Sequence, residues 1–369
     1  MQEKNKMNKF IYLDAAATML KSERLVDAQA EFLREKYANS GRGVCARVGA
    51  VDDMVRDVRN AVARFMNAKY ENIVFTSGTT DAINRIVNIL KPTPDSVVAV
   101  SDLDHHSARL PFQMSGAKTV VVPLDEQLNI DTEQIPYADI FVVTAMSNVL
   151  GVAQNIPEIV RRAREKNPNV IVVVDAAQYV VHKSIDVIAW DADFVAWSGH
   201  KIGADTGIGV MYIKNPSRFM PDKFGGGMVN TVSRDGVAHF MSPPECFEAG
   251  TLPLTQILGL GVAISEIQSK RADLNLIGYL YDELSKLERV KILTRRDACV
   301  FSFVIDDMHV LDFGVIAGAH NICVRVGNMC ASWIHRVLNI DGSIRVSVGP
   351  YNTKDDIDAF IDVVRGCVK

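Results

Sequence analysis

The chain has 369 residues, more than one hydrophobic core ordinarily serves, so two domains are expected. Hydrophobic residues make up 48% and charged residues 23%, the balance of an ordinary globular protein. A net charge of −4 and a pI near 6.1 supply no basic field for nucleic acid or acidic lipid, and no uncharged apolar stretch is long enough for a bilayer. Met1–Phe10 carries charge with no apolar core behind it, so no secretory leader is expected. The six cysteines (Cys45, Cys246, Cys299, Cys323, Cys330, Cys367) form no C-x-x-C pair and no zinc spacing. They read as reduced thiols, which predicts a cytoplasmic protein without a metal site.

In chain order, Ile11–Leu13 reads as a short strand followed by the small-residue turn Asp14–Thr18. Val51, Met54, Val55, Val58, Val62, Phe65 and Met66 follow helical spacing and predict one buried face. Ile73–Phe75 is a strand, and Ser77-Gly78-Thr79-Thr80-Asp81 opens the next helix. Val97–Val100, Thr119–Val122, Ile140–Val143 and Val170–Val174 are apolar strands, with a helix over Ile156–Arg164 before the last. Phe194–Ala196 and Gly209–Ile213 follow. Continuous apolar strands separated by helices predict an α/β fold with a largely parallel sheet covered on both faces. Gly225–Gly227 and Ser242–Pro244 read as loops without periodicity, and Leu254–Leu287 as a helical link interrupted near 270–273. Beyond it lie strand Val300–Ile305, helix Val310–Ala319, strand Ile322–Val326, a helix from Met329 and strand Ser343–Val348. The closing helix is capped by Thr353 and turns Ile357, Phe360, Ile361 and Val364 inward.

Four features carry chemistry. Lys201 stands in Trp197-Ser198-Gly199-His200-Lys201, after a buried strand and among small residues. An amine that condenses with an aldehyde needs a neutral lone pair, and partial burial favours that form. A lone lysine in a turn is ordinarily a surface residue. Asp175 ends a strand, where ligands of parallel sheets sit, and a carboxylate there can hold a pyridine nitrogen protonated. Taken singly, it is more often a cap. Gly78-Thr79-Thr80 offers backbone N–H groups and hydroxyls for a phosphate, or an ordinary N-cap. His105, just past a strand, can stack on an aromatic ligand or stand exposed in a loop.

Tyr12–Ala17, Ser77–Asn84, Asp104–His106, Ser147–Gly151, Val174–Gln178, Ser198–Lys201, Thr206–Gly209, Phe247–Thr251 and Arg325–Cys330 form an ordered set of motifs along the chain. That set resembles the class V aminotransferase superfamily of pyridoxal-phosphate enzymes, and most closely its SUF-type cysteine desulfurases. That resemblance implies the type I fold of PLP-dependent transferases. A large domain (25–262) holds a mostly parallel seven-stranded sheet, and a smaller α+β C-terminal domain (263–369) carries Cys330 and Arg345. Residues 1–24 form an N-terminal segment packing near the active site and small domain. It also implies pyridoxal 5'-phosphate as cofactor, bound covalently by Lys201. Asp175 pairs with the ring nitrogen, Gln178 with the ring oxygen, and His105 stacks on the ring. Thr79, Thr80, Ser198 and His200 hold the phosphate, which Gly250 and Thr251 reach from the second subunit of a homodimer. Asn148 contacts the cofactor and, with Arg345, binds the substrate carboxylate, Arg345 by a bidentate fork, and Arg325 lies in the substrate-binding set beside Cys330.

Cys330 separates the members of this group. As a thiolate it would take the sulfur of L-cysteine, leaving a persulfide and L-alanine and passing the sulfur to an acceptor protein, as in iron–sulfur cluster assembly; Arg325 and the following helix start would favour the thiolate. A free cysteine is otherwise a small buried hydrophobe. The sequence departs from the family in carrying Asn328-Met329 before this cysteine and Cys45 where histidines are common. Two other readings stay open: a selenocysteine lyase acting on L-selenocysteine, or another class V enzyme in which Cys330 is incidental; and a catalytically inactive scaffold that binds a sulfur-trafficking partner.

Overall fold

A computed structural model describes residues 10–41 and 43–369; residues 1–9, where the absence of a leader was read, and Arg42 lie outside the described residues. The chain forms two compact units. The larger comprises Lys21–Met146 and Gln154–Ser269, and the smaller comprises the described residues up to Leu20, Ser147–Ala153 and Lys270–Lys369.

The larger unit is built on a seven-stranded sheet in the order Ile73–Thr76, Gly209–Ile213, Phe194–Ser198, Ile171–Asp175, Ile140–Thr144, Val97–Ser101, Lys118–Val122. The last five are parallel neighbours, whereas Gly209–Ile213 runs against both of its partners. This is the mostly parallel α/β sheet that the continuous apolar runs predict. The central strands Ile140–Thr144 and Phe194–Ser198 are buried throughout, which is why they show no alternation in sequence. Their side chains join Ile83, Ile86, Phe112 and Phe247 in one apolar cluster. The helix predicted from Val51 begins at Ala46 and ends at Phe65, because its mostly exposed first turn buries no residue before Val51 and so adds nothing to the apolar face.

In the smaller unit an antiparallel sheet runs Val290–Ile292, Phe301–Ile305, Ser343–Val346, Arg325–Gly327. Phe303 lies at its centre, with ring centroids of Phe301, Phe313 and Phe360 5.4, 5.9 and 6.2 Å away. Such tilted and edge-on pairs add to the burial of large apolar area. The closing helix Lys354–Cys367 starts with a capping box between Thr353 and Asp356 and buries Ile357, Phe360, Ile361 and Val364.

Four local features depart from the sequence reading. The strand expected over Ile322–Val326 is two strands, because Ile322–Cys323 pairs with Ile11–Tyr12 while Arg325–Gly327 pairs with Ser343–Val346. Val290–Ile292 is an unanticipated edge strand. The aperiodic stretch between the glycine and proline loops contains a hairpin, Val229–Val232 with Ala238–Phe240. The helix expected from Met329 starts at Ser332, so Met329 and Cys330 lie in the turn before it. Among the described residues, no helix is long and apolar enough to cross a membrane.

Candidate functional site

Five chemistry-bearing side chains of the larger unit leave the carboxyl edge of its sheet. Asp175 and Ser198 end adjacent parallel strands, with Asp175 in register with Ala196 and Lys201 in the 3-10 turn Gly199–Ile202 just beyond Ser198. Ile73–Thr76 runs in the same direction as Phe194–Ser198, since Gly209–Ile213 is antiparallel to both. Its carboxyl end therefore delivers Gly78 and Thr79 to the same edge, and Val97–Ser101 delivers His105. Carboxyl ends of open α/β sheets are where ligands bind.

The helix Thr79–Leu90 begins against Ser198: the Thr79 N–H donates to Ser198 Oγ at 2.8 Å, and the two hydroxyl oxygens also lie 2.8 Å apart. Thr80 Oγ1 is 2.7 Å from Ser107 Oγ, in the first turn of the helix that His105 caps. The Ser107 N–H donates to His105 Nδ1 at 3.1 Å, which in a neutral ring places the proton on Nε2. Gly78 reaches this position with φ 148°, outside the range side chains favour. Gly209 is the less obvious requirement, because a Cβ there would lie 2.6 Å from Gly78 Cα and 2.7 Å from the Trp197 carbonyl. A twelve-residue helix with its N-terminus at two hydroxyls is a chemically suitable cradle for a phosphoryl group.

Burial sets the electrostatics. Asp175 is buried and its carboxyl is pushed up to about 6, opposed by the Ala177 N–H that its Oδ1 accepts and by the Lys201 charge. Asp104 is driven further, to about 7, by burial, against hydrogen bonds from the Ser101 and Thr144 N–H groups and with Asp175 adding repulsion. His200 is pulled down to about 4 by burial and by the Lys201 and Lys21 charges. An edge with a buried acid poised near neutrality, a half-buried lysine and a neutral imidazole suits a ligand with an ionisable ring and an anionic tail. Gln178 is buried three residues past Asp175, whereas Gly250 and Thr251 are exposed.

The smaller unit gathers a different group. Arg345, in the strand Ser343–Val346, is 2% exposed. Its Nη1 donates to the Asn148 carbonyl at 2.9 Å and its Nη2 to Asp14 Oδ1 at 3.0 Å. The other Asp14 oxygen accepts from Arg325 Nη2 at 2.7 Å, so one carboxylate bridges both arginines. Burial lowers the Arg345 pKa and Asp14 opposes that. Arg345 Nε and Asn148 Oδ1 are buried without a hydrogen-bond partner among the described residues. A buried donor and acceptor left open are expected to meet a polar ligand. The Asn148 Nδ2 instead donates to the Met329 carbonyl, at 2.8 Å. Cys330 is exposed, in contrast to the buried Cys246 and Cys299. Arg325, expected in the substrate set, is paired to Asp14, and the helix start expected to favour the thiolate lies two residues beyond the cysteine.

Asp14 and Gly209 carry geometry that no single-residue signal announced. Both stand inside motifs quoted above, but Asp14 reads there as a turn residue and Gly209 as the start of a strand. Their roles come from partners far along the chain.

Known proteins place this geometry. The model of the aminotransferase class-V family matches residues 11–360. The cysteine desulfurase of Salmonella agona is 32% identical over 373 residues, covering 95% of this chain and 91% of the relative, and that of Escherichia coli O157:H7 is equally similar over 374 residues. Among solved structures, the apo cysteine desulfurase of Thermococcus onnurineus superimposes with a TM-score of 0.92 at 32% identity, over 98% of this chain and 95% of that one. The cysteine desulfurase CsdA of Escherichia coli, in its S-sulfonic acid form, gives 0.89 at 31% over 97% and 94%. With motif, sequence and fold in agreement along nearly its whole length, the chain belongs to the class V aminotransferase family.

Proposed function

We propose that this chain is a pyridoxal-phosphate-dependent cysteine desulfurase that converts L-cysteine to L-alanine and leaves the sulfur as a persulfide on Cys330. The observation that carries the reading is the exposed Cys330 thiol, two residues before a helix, in a chain 32% identical to cysteine desulfurases. When bound, the cofactor supplies an electron sink that labilises bonds at the substrate's α and β carbons.

The chain's own residues supply the rest. Lys201 would hold the cofactor through its aldehyde and move protons at Nζ. Asp175, a buried carboxyl raised to about 6, would pair with the ring nitrogen and keep it protonated. Gln178 would donate to the ring oxygen, and His105 would be the residue to stack on the ring. Thr79, Thr80, Ser198 and His200 hold the phosphate, with Gly250 and Thr251 serving the site of a second copy in a homodimer; their exposure supports that assignment. The open Nε edge of Arg345 takes the substrate carboxylate. Arg325 acts through Asp14, holding that guanidinium in place. The Cys330 thiolate attacks the substrate sulfur, forming an S–S bond as the carbon–sulfur bond breaks. The released electron pair stays on the carbon skeleton, which takes up protons to become alanine. The persulfide then passes to an acceptor protein, and six cysteines outside any disulfide fit work in a reducing cytoplasm.

The test is product analysis of the loaded protein with L-cysteine and L-selenocysteine, with a thiol reductant to release the persulfide. Wild type yields sulfide and alanine in equal amounts, and Cys330→Ala lowers sulfide release by roughly 100-fold or more while keeping the cofactor's absorbance. Undiminished sulfide release by the variant overturns the persulfide route. Release of selenide alone, independent of Cys330, assigns the chain to selenocysteine lyases.

A further inference from the structure

Cys330 sits on an unusual backbone. Gly327, Met329 and Cys330 all have positive φ, at 97°, 49° and 54°. Left-handed backbone crowds the Cβ of a residue with a side chain against the following carbonyl and is disfavoured. Two such residues in succession persist only where the surroundings over-determine them. Within the turn, the Ala331 N–H donates to the Asn328 carbonyl at 2.8 Å. That single bond does not balance two strained residues.

Two side chains hold the turn from either side of the cysteine. On the Met329 side is the Asn148 amide, whose Nδ2 donates to the Met329 carbonyl. On the Ala331 side, His335 Nδ1 lies 2.9 Å from the Ala331 carbonyl, and its Nε2 lies 3.0 Å from Ser343 Oγ. His335 is 1% exposed, and burial pushes its pKa down. A neutral ring donating at Nδ1 and accepting the Ser343 hydroxyl satisfies both contacts. Asn148 is itself fixed, because its carbonyl accepts from Arg345 Nη1. Ser343 and Arg345 belong to one strand, so both holds on the turn return to it.

We propose that Asn148 and His335 are positioning residues that clamp the left-handed turn Gly327–Cys330 and thereby hold the Cys330 thiol in fixed relation to Arg345. The proposal rests on the reading that Cys330 is the nucleophile and Arg345 the carboxylate anchor. It gives Asn148 a role distinct from binding the carboxylate itself. With both ends of the turn tied to the strand bearing Arg345, a substrate held by its carboxylate finds the thiol already placed. Such pre-organisation lowers the barrier without changing affinity.

The test uses Asn148→Ala and Asn148→Asp, the second keeping size while removing the donor, with Ser343→Ala to release the His335 side. Hydrogen exchange at the Ala331 amide, and iodoacetamide alkylation of Cys330 read on its own peptide with Cys323 as internal reference, are measured without substrate. Loss of one hydrogen bond on a strained turn predicts exchange and alkylation faster by roughly 3–10-fold, with the Cys323 rate unchanged. In turnover of L-cysteine, kcat falls by about tenfold while KM stays within about threefold. Wild-type exchange and alkylation in all three variants overturn the clamp, as does a raised KM with kcat intact, which returns Asn148 to the carboxylate. The substrate-free readouts stand whatever Cys330→Ala does to sulfide release, so failure of the clamp and failure of the desulfurase reading are distinguishable.

Discussion

Gly209 shows how a residue without a functional group can define a functional edge. It pairs with Thr76 on one side and Ser198 on the other, the two residues from which the Gly78–Thr79 cradle and the Lys201 turn depart. Its missing Cβ lets Gly78 and the Trp197 carbonyl approach within a distance that any side chain would forbid. Gly209→Ala must push one of them away, and both are backbone, so no rotamer change relieves the clash. The expected cost is about 1–3 kcal/mol of stability, with a loss of cofactor affinity of tenfold or so. Chemical denaturation and titration of the cofactor's absorbance measure the two; unchanged affinity would show that the cradle does not depend on this approach. Lys201, Asp175 and His105 were legible in the sequence because each is a chemically distinctive residue next to an apolar run. Asp14 and Gly209 were not, because bridging Arg325 to Arg345, or yielding space to Gly78, exists only once distant segments meet.

Buried strands announced themselves by β-branched runs without alternation, which is why the strands of the large sheet were legible along the chain, whereas their order across the sheet comes from pairings between distant segments. The hairpin was hidden for the opposite reason: Val229–Val232 is largely exposed, so burial imposed no pattern on it. Its one sequence signal was Asp235-Gly236, where Gly236 adopts φ 89° and its N–H donates to the Ser233 carbonyl at 3.0 Å. A different join lies deep in the larger unit. Arg59, from the helix Ala46–Phe65, makes two 2.7 Å bonds to Glu248, and its Nη1 also donates to the Ile73 carbonyl at 2.8 Å. Glu248 in turn accepts from the Phe75 N–H, and the guanidinium lies 4.3 Å from the Phe75 ring centroid. Helix, strand and the motif Phe247–Thr251 are thus fastened by one ion pair, with the two side chains only 2% and 3% exposed. Glu248→Ala leaves Arg59 charged and buried, and is expected to destabilise by about 3–5 kcal/mol. Adding Arg59→Met recovers part of that loss, because no buried charge is then left alone. If denaturation finds the double variant no better than the single one, the packing around Glu248 rather than the ion pair fastens these elements.

At the scale of the whole molecule, buried titrating groups of opposite kinds meet in the same pH range. Asp104, raised from 3.8 to about 7, and Asp175, raised to about 6, both hold protons in the folded chain that the unfolded chain has lost. Their contribution to stability is fully present below the unfolded value and is lost as pH rises through the folded one. His200, lowered to about 4, and His106 and His335, also lowered by burial, act in the reverse sense: their contribution is present above 6.5 and is lost as pH falls. From pH 4 to 6.5 the two slopes oppose each other. Asp104→Asn removes the larger acidic slope at a fixed cost, since an amide oxygen can still accept only one of the Ser101 and Thr144 N–H bonds. Stability of the variant relative to wild type should therefore rise with pH from about 4 to about 7, by at least about 1 kcal/mol, and then level off. Equilibrium urea denaturation of the cofactor-free proteins at pH 5, 6, 7 and 8 reads this difference directly. A pH-independent difference would mean that Asp104 ionises in the folded chain as readily as in water, and that the carboxyl edge carries one more negative charge at neutral pH than burial permits.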